Sequence, residues 1–282
     1  MASWFQSLAL PFAKQFIAGE TRAELAQAVR QANASHVEAI VDYLGEHVQS
    51  ARQAEQTLEE YLRLLGELDA ARAHYSISIK LTQFGLAFSP TLCHRLVSAL
   101  LKECAKKGCF VWIDMEESAF TQETIDFYAR WHKLFPRTGV CLQAYLKRSA
   151  EDAEYLARKK AIVRIVKGAY HESESIAFHG MADIDAQFLK ITKMLLRSGN
   201  AVAIATHDAE LVEQSWKLSR GNPIEFQFLR GIRTDLKKKM LERKATVAEY
   251  IPYGPQWFSF CKRRLLERKR NIITVVRSMA GI

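Results

Sequence analysis

Eight short apolar runs, each leading into a helix-like segment, recur along the 282-residue chain and constrain its fold more than any other feature. They fall at 36–41, 75–81, 110–115, 140–145, 162–166, 201–206, 225–229 and 247–251. Several are nearly continuous in apolar residues, the pattern required of strands covered on both faces. Between them, the segments 57–73, 90–107, 121–135, 150–159, 185–197 and 209–219 show helical spacing and are bounded by Gly, Pro or capping Ser, Thr and Asp. Strand and helix alternating eight times leaves a closed parallel barrel or a doubly wound sheet.

The ends of the runs separate these two. A polar or ionisable residue stands at or near each C-terminal end: Asp42, Lys80, Asp114, Gln143, Arg164 with Lys167, Thr206 with His207, Gln227 and Tyr250. In a barrel all eight ends open onto one mouth, so these groups would share one pocket. The expected fold is therefore α/β, a (β/α)8 TIM-type barrel over 34–282. An N-terminal helical arm precedes it at 1–33, and the last helix-like segment, PQWFSFCKRRLLERKRN, lies over the mouth.

Several function classes are disfavoured. No run approaches the roughly 20 apolar residues of a membrane span, and the apolar N-terminus lacks a basic flank and is broken by Pro11, unlike an export signal. The five cysteines are odd in number and form no CxxC, which points to a reducing compartment and no structural metal. No GxGxxG occurs, so a Rossmann dinucleotide site is excluded. His207 in ATHD has no second and third ligand at metal spacing, so no metal site is expected. The formal charge of +9 is concentrated in 229–282, with 14 basic and 4 acidic residues. This is either a solvated helical face or an attraction to an anionic surface such as lipid headgroups. A nucleic-acid role lacks the aromatic interleaving and motifs it would need.

Three charges lie in or at the ends of apolar runs: Lys80 in YSISIKLTQ, Asp114 in FVWIDMEE and Arg164 in AIVRIVKGAY. Buried charges need partners or a ligand, so they either pair with one another or serve a site. Gly168 follows a strand, as a turn or as a place where a flat ligand approaches the backbone. In the last segment, Glu267 lies at helical spacing from Arg263 and Arg264. That trio is a salt-bridged surface or a guanidinium pair gripping a carboxylate.

Taken together, SIKLTQFG, WIDMEE, CLQAYL, VRIVKGAY, ATHD, EFQFL and YIPYGPQWFSFCKRRLLE, in that order, resemble the signature segments of proline dehydrogenases. AGET near Ala18 and VDYLGE near Val41 resemble the N-terminal part of the short, single-function bacterial type. The resemblance implies FAD-dependent oxidation of L-proline to 1-pyrroline-5-carboxylate, the first step of proline catabolism, with electrons passed to a quinone-type acceptor. It implies FAD contacts at Met115, Gln143, Arg164, Lys167, Gly168, Ala169, Thr206 and His207, and catalytic roles for Asp114 and Arg164. Lys80, Arg263 and Arg264 match substrate-binding positions, with Glu267 supporting the arginines; Tyr170, Leu229 and Tyr250 match residues packed around the substrate ring.

A cytoplasmic protein follows, peripheral at the inner membrane at most, with functional coupling to pyrroline-5-carboxylate dehydrogenase. Two positions depart from the family pattern: Phe260 replaces a tyrosine, and His171 replaces a tryptophan. A hydroxyproline dehydrogenase and a degenerate flavin-barrel binding module are the alternatives. A smaller residue than Tyr250 goes with the former, and loss of the charged groups would have marked the latter.

Overall fold

The computed structural model describes residues 13–45, 48–258 and 260–261. Eight parallel strands close into a barrel in chain order, with the last paired to the first. They are β1 (Glu38–Tyr43), β2 (Tyr75–Ile79), β3 (Phe110–Ile113), β4 (Thr138–Gln143), β5 (Ile162–Val166), β6 (Val202–Ala205), β7 (Ile224–Leu229) and β8 (Thr246–Tyr253). All eight expected strands are present, with ends displaced by only a few residues. The β2 and β3 runs stop at Ile79 and Ile113, two residues short of the apolar pattern, because the chain turns there. Leu81–Phe84 forms a 3-10 turn closed by Gly85 at φ +92°.

Eight α-helices accompany them among the described residues: α1 (Arg22–Ala34), α2 (Ala51–Ala70), α3 (Pro90–Lys107), α4 (Thr121–Trp131), α5 (Ser149–Arg158), α6 (Met181–Arg197), α7 (Ala209–Ser219) and α8 (Thr234–Glu242). Helix α2 starts six residues before the expected position because Ser50 caps it by accepting the Gln53 N–H. Helix α8 is apparent only in the structure, since its exposed face is a run of lysines and only Leu236 and Met240 are buried. Helix α1, part of the expected arm, begins at a capping box formed by Thr21 and Glu24.

Alternation along each strand divides the interior into two cores. Outward residues such as Val41, Ile77, Val111, Val163, Ile204 and Phe228 pack against the helices in the main cluster. Burying each such side chain stabilises the fold by roughly 1.5–3 kcal/mol. Inward residues Ile40, Trp112, Ala203 and Ala248, with Phe110, Ile162 and Tyr250, fill the barrel itself. All but Tyr250, whose hydroxyl reaches Asp114, form an apolar plug beneath the polar strand ends.

Candidate active site

The inward positions just above this plug carry the ionisable groups, because each lies two residues beyond a plug residue on the same face of its strand. Asp42 follows Ile40, Asp114 follows Trp112, Arg164 follows Ile162 and Tyr250 follows Ala248. Lys80 is reached through Ser76 and Ser78, whose small side chains leave room along β2.

Asp114 is the hub. Its Oδ1 accepts Arg164 Nη1 at 2.6 Å and Ser78 Oγ at 2.8 Å. Its Oδ2 accepts the Tyr250 hydroxyl at 2.8 Å and Lys80 Nζ at 3.1 Å. Lys80 Nζ also reaches both oxygens of Asp42, at 2.9 and 3.0 Å, with Asp42 0% and Lys80 7% exposed. The Arg164 guanidinium lies over the Trp112 ring, 4.5 Å from its centroid, and its Nε donates to Gln227 Oε1 at 2.5 Å. Lys80, Asp114 and Arg164 therefore do pair with one another, and they do so at the mouth where a ligand would meet them.

The electrostatics follow from burial and pairing. Burial pushes the Asp42 carboxyl up to about 6 against the pull of Lys80, and the Asp114 charge adds to the rise. Burial also opposes ionisation of Asp114, but Lys80, Arg164 and the Ser78 and Tyr250 hydrogen bonds outweigh it and hold the carboxyl below its usual range. Lys80 stays well above its ordinary value because the Asp42 and Asp114 carboxylates overcome its desolvation. Burial, reinforced by Asp114 and Asp42, keeps the Tyr250 phenol neutral and hence a donor.

The remaining expected residues ring this hub. Gln143, on β4, donates from Nε2 to the Met115 carbonyl at 3.3 Å. Lys167 bridges Asp185 and Asp208 at 2.7 and 2.8 Å. Asp208 also caps α7, and Thr206 Oγ1 accepts the Asp208 N–H at 3.3 Å. His207 Nε2 accepts the Leu229 N–H at 3.0 Å, so it fastens the end of β6 to that of β7. Leu229 packs against the rim cluster of Ile17, Leu44, Trp257 and Phe260. Ala169 and Tyr170 are half-buried in the segment after β5, and His171 beside them is exposed.

Gly168 is also held to glycine by its own surroundings. Its φ is +114°, and a Cβ there would lie 2.1 Å from Cδ1 of Tyr145, so the glycine makes room for a tyrosine ring. Arg263, Arg264 and Glu267 lie outside the described residues, as does most of the helix expected over the mouth.

Sequence reasoning gave no role to Ser78, Trp112, Asp185 or Asp208, and it noted Asp42 and Gln227 only as strand ends. Ser78 was detectable as the small residue preceding Lys80 on the same face. Asp185 had no signal, because its helix reaches the mouth only through the tertiary fold. Glu116 was likewise missed: it accepts the N–H of Thr82 at 3.1 Å and the Thr82 hydroxyl in a short contact, pinning the 3-10 turn that follows Lys80.

Two buried polar atoms of the site have no hydrogen-bond partner, Arg164 Nη2 and Gln143 Oε1. One is a donor and the other an acceptor, the pair of functions that the carbonyl and N–H edge of a flavin would satisfy. The residues present thus fit the cofactor the resemblance implies. Among the described residues no group of three or more His, Cys, Asp or Glu side chains could hold a metal ion.

Comparison with known proteins agrees with this geometry. The family model described as proline dehydrogenase matches residues 25–276. Proline dehydrogenase 1 of Bacillus subtilis is 34% identical over 272 residues, covering 95% of this chain and 90% of that protein. The proline dehydrogenase of Deinococcus radiodurans is 30% identical over 281 residues, covering 95% and 89%. Among solved structures, proline utilization A from Bdellovibrio bacteriovorus superposes with a TM-score of 0.88 at 23% identity, over 96% of this chain and 34% of that one. This chain spans about a third of that larger protein, and the likeness there is one of fold. With a barrel of this topology, an ordered strand-end constellation and near-full-length similarity to single-function relatives, the chain belongs to the proline dehydrogenase family and is an enzyme of the first step of proline catabolism.

Proposed function

We propose that the chain oxidises L-proline to 1-pyrroline-5-carboxylate with FAD held across the C-terminal mouth of the barrel and electrons passed on to a quinone. The observation that carries this reading is Asp114, held ionised by Ser78, Lys80, Arg164 and Tyr250. Proline in solution is a zwitterion whose ammonium has no lone pair, and loss of hydride from the neighbouring carbon requires one. A carboxylate already committed to a lysine and an arginine exerts little hold on that ammonium, so the site does not oppose release of its proton. Lys80, neutralised from below by Asp42, completes this balance.

FAD, when bound, supplies the hydride acceptor. Arg164, Gln143, Lys167, Thr206 and His207 would hold it, with Met115, Gly168 and Ala169 contributing close surface. Fixed cations and donors beside the region that gains negative charge favour its reduction. Tyr170, Leu229 and Tyr250 would pack around the pyrrolidine ring, and Arg263 and Arg264, supported by Glu267, would bind its carboxylate. With Tyr250 against the ring, its hydroxyl, engaged by Asp114, would take the space that a 4-hydroxyl needs and favour proline over hydroxyproline.

Within the described residues no helix is long and apolar enough to cross a membrane. The basic excess of the C-terminal region is largely neutralised where it is described. Arg230 and Lys237 pair with Glu249, Arg243 and Lys239 with Glu213, and Arg233 with Asp235. Any peripheral contact of a cytoplasmic enzyme with anionic lipid would therefore rest on 262–282, and would weaken with salt. The bifunctional protein PutA of Escherichia coli is 26% identical, and the match covers 92% of this chain but 23% of that protein. Coupling to a pyrroline-5-carboxylate dehydrogenase would consume the product of this reaction.

Purified protein should be yellow, and its flavin absorbance should bleach anaerobically with L-proline but not with D-proline or glycine. A colourless protein that FAD cannot reconstitute would overturn the reading.

A further inference from the structure

Beneath Asp114 the barrel holds a second polar pair. Glu225 and Gln227 are two residues apart on β7, so both point inward. Gln227 is buried and Glu225 half-buried. Gln227 Oε1 accepts Arg164 Nε at 2.5 Å, while its Nε2 donates to Glu225 Oε1 in a short contact. Ala203 of β6 stands in register with both Arg164 and Glu225, and its small side chain lets groups from β5 and β7 meet across the intervening strand.

The logic of donors and acceptors fixes the arrangement. An arginine Nε can only donate, so the Gln227 amide must turn its oxygen toward it, and the amide nitrogen must then find an acceptor on the other side. Glu225 is that acceptor. The charged groups that face it are Glu38 of β1 and Arg164 of β5. Without Glu225 the amide would leave a buried N–H2 unsatisfied, and the orientation presenting oxygen to Arg164 would lose its advantage.

We propose that Glu225 is a positioning residue for the reaction: it holds the Gln227 amide oxygen on Arg164 Nε and so keeps Arg164 Nη1 aimed at Asp114. Burial pushes the Glu225 carboxyl up to about 7, and in either protonation state one oxygen remains to accept from Gln227. The role is thus one of hydrogen bonding rather than charge, and glutamine at this position can fill it. The kinetic arm of the test rests on the proline-oxidising reading; the spectroscopic arm does not.

The Arg164 Nε–H resonance can be followed by NMR in the full chain, identified by its loss in Arg164→Lys. Its exchange with solvent should accelerate at least about tenfold in Glu225→Leu and in the milder Glu225→Ala, and stay slow in Glu225→Gln. In the holoenzyme, Glu225→Leu or Glu225→Ala should lower the limiting rate of flavin reduction about tenfold, but less than about twofold in a Gln227→Leu background. Affinity for tetrahydrofuran-2-carboxylate should change less than about twofold. An Arg164 proton indifferent to both apolar variants, or an equal fall in rate in both backgrounds, would overturn the proposal. Should the NMR behave as expected while proline fails to reduce even the unmodified protein, the enzymatic reading fails, and only the hold of Glu225 on Gln227 and Arg164 stands.

Discussion

The Tyr250 hydroxyl donates to Asp114 Oδ2 at 2.8 Å, and Lys80 Nζ donates to the same oxygen, so one carboxylate oxygen is shared between a neutral phenol and a cation. Removing the phenol leaves Lys80 as the sole donor to that oxygen among the described contacts. Tyr250→Phe should lower kcat/KM for L-proline about tenfold, the effect of one lost hydrogen bond to a charged acceptor. Tyr250→Ser should also raise turnover of 4-hydroxyproline relative to proline. Steady-state assays with both substrates check this, and an unchanged ratio in Tyr250→Ser would argue against the ring contact.

Arg164 depends on the shape of its guanidinium, which spans Asp114, Ser78 and Gln227 while stacked on Trp112. Lysine retains the charge but has neither the Nε donor nor the planar fork. Arg164→Lys is expected to slow flavin reduction by about two orders of magnitude, equivalent to roughly 3 kcal/mol. Stopped-flow spectroscopy with saturating proline measures it. A rate near that of the unmodified protein would remove Arg164 from the reaction.

Arg263 and Arg264 distinguish a carboxylate grip from a solvated helix. As a grip, each loss costs roughly 1.5–3 kcal/mol, so Arg263→Met or Arg264→Met should lower kcat/KM by about one to two orders of magnitude. Flavin should remain bound, and inhibition by tetrahydrofuran-2-carboxylate should weaken in parallel. Normal kinetics and inhibition in both variants would move the carboxylate partner to Lys80.

Glu116 gives a stability test. Burial raises its carboxyl to about 7, even though Thr82 donates to it twice. Because this folded value lies above the ordinary one of 4.5, its contribution is fully present below about pH 4 and is lost as pH rises toward 7. The loss amounts to about 3 kcal/mol. Glu116→Gln keeps an acceptor and a donor for Thr82 but does not titrate. Its Tm should therefore fall less between pH 5 and 8 than that of the unmodified protein. Parallel pH profiles from thermal unfolding would refute this.

The sequence by itself determined the barrel and the composition of its mouth. Apolar runs with no solvent face could only be strands buried on both sides, and a polar residue ending each run placed Lys80, Asp114, Gln143, Arg164 and Tyr250 around one opening. Helix α8 escaped notice because a helix that buries two apolar side chains leaves almost no periodic trace. Partnerships were decided by tertiary structure alone. Lys80 meets Asp42 across 38 residues, Arg164 meets Gln227 across 63, and Tyr250 meets Asp114 across 136. Lys80 and Asp42 meet where β1 pairs with β2, Arg164 and Gln227 meet across β6, and Tyr250 reaches Asp114 because β8 pairs with β1 and closes the barrel. Tertiary structure likewise set the Tyr145 ring against Gly168 and made Glu225 the acceptor behind Gln227. A linear pattern records which face a residue points to, whereas the neighbour across the barrel depends on strand register and side-chain reach, which only the folded chain sets.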